Sequence, residues 1–108
     1  MTLQKAVELA CALRPNELGE ETLAHLVQEL EENLALEVRR EGKREPCVVT
    51  RQGELAVPPP YDRIYWTYLV SLIDLSAGDA EAYAMSHKLF EQTRASYAKW
   101  VQRTGGHR

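Results

Sequence analysis

This chain is short of cysteine, phenylalanine and glycine, has no long apolar run and carries no excess of positive charge. Its 108 residues include two Cys, one Phe and six Gly. Cys11 and Cys47 stand alone, without Cys-x-x-Cys spacing, which argues against a zinc ribbon or a dithiol redox motif and points to reduced, buried thiols. No stretch is apolar for long enough to span a bilayer. The first residues lack the basic start, apolar block and small-residue cleavage site of a leader, so a soluble, unexported protein with no membrane contact is expected. Thirteen Lys and Arg against sixteen Asp and Glu leave a net charge of −3, which argues against duplex DNA as the main ligand, because binding phosphates needs a basic face.

Chemical signatures are equally scarce. There is no Gly-x-x-x-x-Gly-Lys-Ser/Thr loop, no Gly-x-Gly-x-x-Gly turn and no zincin spacing. His25, His87 and His107 are scattered, none of them three or four residues from a Cys or a second His, so neither a metal nor another cofactor is expected. Cys47, His25 and Glu29 make a nucleophile set only by free choice, with no spacing to recommend them.

What is present is globular: 44% hydrophobic and 27% charged residues, in a length that suits one domain. Area scaling allows about two-thirds of the unfolded surface to be hidden. Leu3, Ala6, Val7, Ala10 and Leu13 recur at helical spacing behind Thr2, a candidate N-cap, and Pro15 ends the run. Leu23, Leu26, Val27, Leu30, Leu34 and Val38 repeat in the same way, with most glutamates in other directions, Arg39 and Arg40 late, and Gly42 as the stop. Val48, Val49, Leu55 and Val57 flank Arg51-Gln52-Gly53-Glu54 as a small hairpin. After Pro58, Pro59 and Pro60, the last expected within the first helical turn, a helix follows that is apolar nearly all round and should lie centrally or under a partner. Gly78 reads as its left-handed stop and Asp79 as the next N-cap, making the corner of an antiparallel hairpin. The expected fold is all-α, a single domain with helices at about 2–14, 20–41, 60–77 and 79–104 and a loop or β-hairpin at 42–59. Gly105 and Gly106 end the last helix, and His107 and Arg108 should fray.

Two features suggest function. A last helix of about 36 Å exceeds the ~33 Å diameter of a compact chain of this size, so its end should project. Tyr97, Trp100, Val101 and Arg103 on that end are candidates for a protein interface, the alternative being that they fold back on their own domain. Residues 16–41 concentrate the negative charge, with eight Glu against two Arg. Glu29, Glu32 and Glu37 could hold magnesium, as in small all-α nucleotide pyrophosphohydrolases, but no second helical Glu-x-x-Asp completes that pattern. A solvated face is the simpler reading.

From Val57 onward the chain reads Val57-Pro58-Pro59-Pro60-Tyr61-Asp62-Arg63-Ile64-Tyr65-Trp66-Thr67-Tyr68-Leu69, then Ile73-Asp74, Gly78-Asp79, Tyr83, Leu89-Phe90, Tyr97, Trp100 and Arg103. This resembles the head-tail connector, or head-completion, proteins of tailed phages and prophages, in Pro-Tyr-Asp-x-Ile-Tyr-x-x-Tyr-Leu, in Ile-Asp-x-x-x-Gly-Asp/Glu and in a closing helix with Leu-Phe and a late aromatic. The likeness covers residues 57–104. Glu91 departs from it, since that family often has Asn there. The resemblance implies Pro60, Tyr61, Asp62, Tyr65, Tyr68, Asp74, Gly78 and Asp79 as motif positions in a non-enzymatic, structural subunit. That subunit forms a homo-oligomeric ring under the portal protein, docks the next neck or tail protein, and meets DNA only as passing cargo. It would sit at the virion head-tail junction after assembly in the bacterial cytoplasm. On that reading Glu29, Glu32 and Glu37 could face the channel and repel the DNA backbone, Tyr97 and Trp100 could wedge between subunits or under the portal, and Tyr61, Asp62, Tyr65 and Tyr68 could form part of a subunit contact; the simpler account, which needs no ring, is that Asp62 stabilises the start of its helix and the tyrosines pack. A magnesium-dependent phosphohydrolase and a generic dimeric interaction module are the alternatives from other classes.

Overall fold

Four helices form where the apolar periodicity places them: α1 (Leu3–Leu13), α2 (Glu20–Glu37), α3 (Arg63–Ser76) and α4 (Ala80–Thr104). They are seen in a computed structural model that describes residues 1–40 and 49–105. The fold is all-α, and no strand occurs among the described residues. Cys47, Val48, Gly42, Gly106, His107 and Arg108 lie outside the described residues.

The nearly all-apolar α3 is the centre, packing on α1, α2 and α4. Its buried residues point in every direction, from Ile64 and Tyr65 to Leu69, Val70 and Ile73. They meet Ala6, Val7 and Ala10 of α1, Leu23, Val27, Leu30 and Leu34 of α2, and Phe90, Tyr97 and Val101 of α4 in one core. Thr67, Ser71 and Thr93 are also buried. Each returns its hydroxyl to a carbonyl of its own helix, so these small side chains enter the core without an unmet polar group.

The α3–α4 corner follows the sequence closely. Gly78 has φ 74°, its N–H donates to the Leu75 carbonyl at 3.1 Å, and the Asp79 N–H donates to the Asp74 carbonyl at 3.1 Å. That is the paired closure of a helix end with a left-handed residue. Asp79 then caps α4, its side chain accepting from the Ala82 N–H at 3.0 Å. Thr2 caps α1 in the same way, accepting from the Lys5 N–H at 3.1 Å.

Three expectations need correction. The first is the hairpin: Gly53 N–H closes a turn onto the Thr50 carbonyl, but among the described residues its two arms form no ladder with each other. Instead the Leu3 and Gln4 amides donate to the carbonyls of Gly53 and Arg51, and the Leu55 amide donates to the Met1 carbonyl. The first amides of a helix have no partner within it, and the turn supplies one, leaving a single antiparallel bridge between Thr2 and Glu54. The second is α2, which stops at Glu37 rather than near 41. Val38 and Arg39 both donate to the Leu34 carbonyl, Arg40 takes φ 54°, and Arg39 turns inward. The third is α3, which starts at Arg63 rather than at Pro60. The Tyr61 amide closes a turn onto the Pro58 carbonyl, and Asp62 makes no side-chain cap. Its carboxylate lies 3.9 Å from the Met1 ammonium instead.

Replacing Gly78 by Ala meets no atom within 4 Å, so its cost is the left-handed backbone alone. Urea unfolding should show Gly78→Ala less stable by about 1 to 2 kcal/mol, and Asp79→Ala by about 1 kcal/mol, with an unchanged denaturant slope in both.

Candidate functional site

The polar groups that enter the core gather at two places. At the first, Glu31 reaches inward from α2, only 8% exposed. Its Oε1 accepts from the Tyr65 hydroxyl of α3 at 2.8 Å, and its Oε2 accepts from the Ala56 amide at 2.7 Å. The Tyr65 oxygen in turn accepts from the Val57 amide at 2.9 Å. Arg39 lies 3.7 Å from Glu31 Oε1 and donates to the Tyr97 hydroxyl of α4 at 3.0 Å. One carboxylate thus joins α2, the irregular segment at 56–57, α3 and, through Arg39, α4. Burial first, then the Glu31 charge, pushes the Tyr65 hydroxyl pKa far above its usual value. Tyr68 is raised as well, by burial and then by Glu29.

At the second place, the buried Asp74 of α3 accepts from Arg14 Nε at 2.6 Å and from Arg14 Nη2 at 3.2 Å. It also accepts from the Ser86 hydroxyl of α4 at 2.8 Å. A two-pronged Arg–carboxylate pair fixes orientation as well as distance, so the end of α1 is held to the α3–α4 hairpin. No buried side-chain nitrogen or oxygen among the described residues lacks a partner.

The aromatic end of α4 does not project. Twenty-five residues at ~1.5 Å each give ~37 Å, as long as the longest extent of the molecule, 37 Å, yet the aromatic end is packed against the rest of the domain. Tyr97 is 1% exposed and Val101 is also buried. Tyr61 folds over them, its ring centroid 6.1 Å from Tyr97 and 5.7 Å from Trp100. Tyr97 and Val101 are therefore core residues and not an interface. Trp100 is half-buried, and Arg103 alone of the four is exposed. Tyr61 supplies the cover because the turn after the prolines delays α3.

Nor do Glu29, Glu32 and Glu37 converge. Glu29 pairs with His25 at 2.9 Å, Glu32 accepts from Gln28 at 3.4 Å and Glu37 pairs with Arg94 at 3.0 Å. Among the described residues no group of three or more His, Cys, Asp and Glu side chains could hold a metal ion. The motif positions fare differently. Tyr65 is at the first of these places, Asp74 at the second, Tyr68 packs its ring at a tilt against Phe90, centroids 5.1 Å apart, and Gly78 and Asp79 form the corner. Pro60 is exposed and lies at neither place.

Sequence reasoning missed Glu31 and Arg14. Glu31 had a legible signal, since it falls four residues after Val27 and three before Leu34, on the apolar stripe rather than off it. Arg14 had none, being the residue before a helix-ending proline.

No protein-family model, curated protein or solved structure matches this chain. No helix among the described residues is long and apolar enough to cross a membrane.

Glu31→Leu leaves the Ala56 amide and the Tyr65 hydroxyl without an acceptor and takes the carboxylate from Arg39, so it should cost about 3 to 5 kcal/mol. Glu32→Leu, at a half-buried position beside Gln28, should stay within about 1 kcal/mol of the parent. Tyr65→Phe should cost about 1 to 3 kcal/mol at pH 7. A raised folded-state pKa stabilises fully below the unfolded value of 10.0 and is lost above it, as the unfolded tyrosine ionises while the folded one keeps its proton. The gap between parent and Tyr65→Phe should therefore narrow above pH 10, by up to about 1.4 kcal/mol per pH unit, in urea titrations at successive pH values.

Proposed function

We propose that this chain is a non-catalytic head-tail connector subunit of a tailed phage or prophage, oligomerising under the portal and presenting a docking surface to the next neck or tail protein. The observation that carries the reading is the run from Val57 to Thr104, where the resemblance lies. Within it Tyr65, Asp74, Gly78 and Asp79 each hold a joint of the fold, which is how residues of a shared scaffold behave.

Two further features support a structural role. The carboxylates of Glu31 and Asp74 have every oxygen engaged by a donor, and both hold helices together. The domain is also tied at both ends, by Glu31 on one side of α3 and by Asp74 on the other. A subunit that must hold its shape against a capsid full of DNA needs such a body. The outer surface would carry the contacts, and DNA would pass as cargo.

Deleting the gene from the phage or prophage that encodes it tests the reading. The expected outcome is DNA-filled heads and free tails in separate fractions, an infectious titre lower by orders of magnitude, and restoration by the gene supplied in trans. Normally joined, infectious virions made without the protein would contradict it.

A further inference from the structure

Met85 is 77% exposed, the most of any large apolar side chain among the described residues, and Leu13 is 52% exposed. Both line one open concavity of about 420 Å³ between the end of α1, α3 and the start of α4, which Trp66, Val70 and Leu89 also line. Arg14 and Ser86, the chain neighbours of Leu13 and Met85, both bind Asp74, so the two sides of the concavity are held at a fixed separation. A side chain standing out beside a hollow on the same face is what a surface needs to meet its own copy.

The residues of α4 around Met85 have the same self-matching character. With about 100° and about 1.5 Å per residue, Glu81 stands about 6 Å before Met85 and about 40° to one side of it, and Lys88 stands about 4.5 Å beyond and about 60° to that same side. On the opposite side, which is that of the concavity, Ala82 lies about 4.5 Å before Met85 and Leu89 about 6 Å beyond it. Glu81 and Lys88 are exposed, and among the described residues neither side chain has a hydrogen-bond or ion-pair partner. Glu91, the acid one turn from Lys88, pairs with His87 instead.

A two-fold axis passing Met85 at right angles to α4 sets a second α4 antiparallel to the first. It reverses distance along the helix and leaves each residue on its own side. Glu81 then meets Lys88 of the second copy, offset by only about 1.5 Å along the axis and about 20° in direction, and Lys88 meets the other Glu81. Across the contact Leu89 meets Ala82 of the second copy, large against small, with the same offsets. Met85 meets Met85, and both concavities open on one side of the helix pair. Parallel pairing in the same register would instead set Glu81 against Glu81 and Lys88 against Lys88. A purely acidic or purely basic partner would leave one of the two charges opposed by its own sign.

We infer that the Met85 face of α4 pairs with the same face of a second copy of this chain, antiparallel and two-fold symmetric. An isologous contact stops at two copies, so a ring under a portal would use another surface. The contact goes beyond the connector reading and does not rest on it.

The test is sedimentation equilibrium of the full chain at low salt, with Met85→Glu, Glu81→Lys, Lys88→Glu and an equimolar mixture of the last two. All three positions are exposed, so circular dichroism should show folded proteins; if Glu81→Lys unfolds, Met85→Glu and Lys88→Glu decide alone. The parent is expected to show a monomer–dimer equilibrium. Met85→Glu, which sets two carboxylates together on the axis, should be monomeric. Glu81→Lys and Lys88→Glu each make both cross-pairs repulsive and should weaken the dimer about tenfold or more, and by less as salt screens the charges. Their mixture should recover dimers, since the heterodimer has opposite charges at both cross-pairs. A parent that stays monomeric, a Met85→Glu or Lys88→Glu protein that dimerises as tightly as the parent, or a mixture no more dimeric than its separate components would overturn the contact. Rings that survive these substitutions overturn it and leave the connector role standing. The dimer found as described, in a protein whose deletion leaves virions normal, overturns the role and leaves the contact standing.

Discussion

Everything else in the fold depends on a carboxylate placed where a methyl group would be expected. Glu31 lies on the apolar side of α2, and its burial is tolerable only because both oxygens are met by donors. A buried charge without partners costs several kcal/mol, so its partners become obligatory. Ala56 and Val57 must hold their amides in place, Tyr65 must keep its proton, and Arg39 must turn inward. That last demand ends α2 before the position that dipole considerations favour. A short irregular segment, with neither helix nor sheet to order it, is thereby fixed against the core.

The Asp74 brace works in the same way at the opposite end of α3, tying α1 to the hairpin through Arg14 and Ser86. Between the braces α3 is enclosed by apolar side chains, and α4 runs the full length of the domain.

Much of the fold was legible in the sequence. Periodicity located all four helices, and the Gly78-Asp79 pair and Thr2 predicted their caps, because these are local rules read within a turn. What failed was non-local. The turn around Gly53 bonds to the chain's first residues, and no local pattern says so. The aromatic end of α4 seemed to project because length was compared with a spherical domain, whereas an elongated one accommodates the helix and Tyr61 covers its rings. Of the site, Asp74 and Tyr65 were noted through the resemblance, but their partners Arg14 and Glu31 were not.

Hydrogen exchange at the amides of Ala56 and Val57 tests the central claim most directly. If the Glu31 brace holds the fold, these two amides exchange only through opening of the whole domain, at rates matching the interior of α3, although they belong to no helix. Exchange as fast as at the exposed Gln52 in the turn nearby would show that the brace opens locally, and that the fold stands without it.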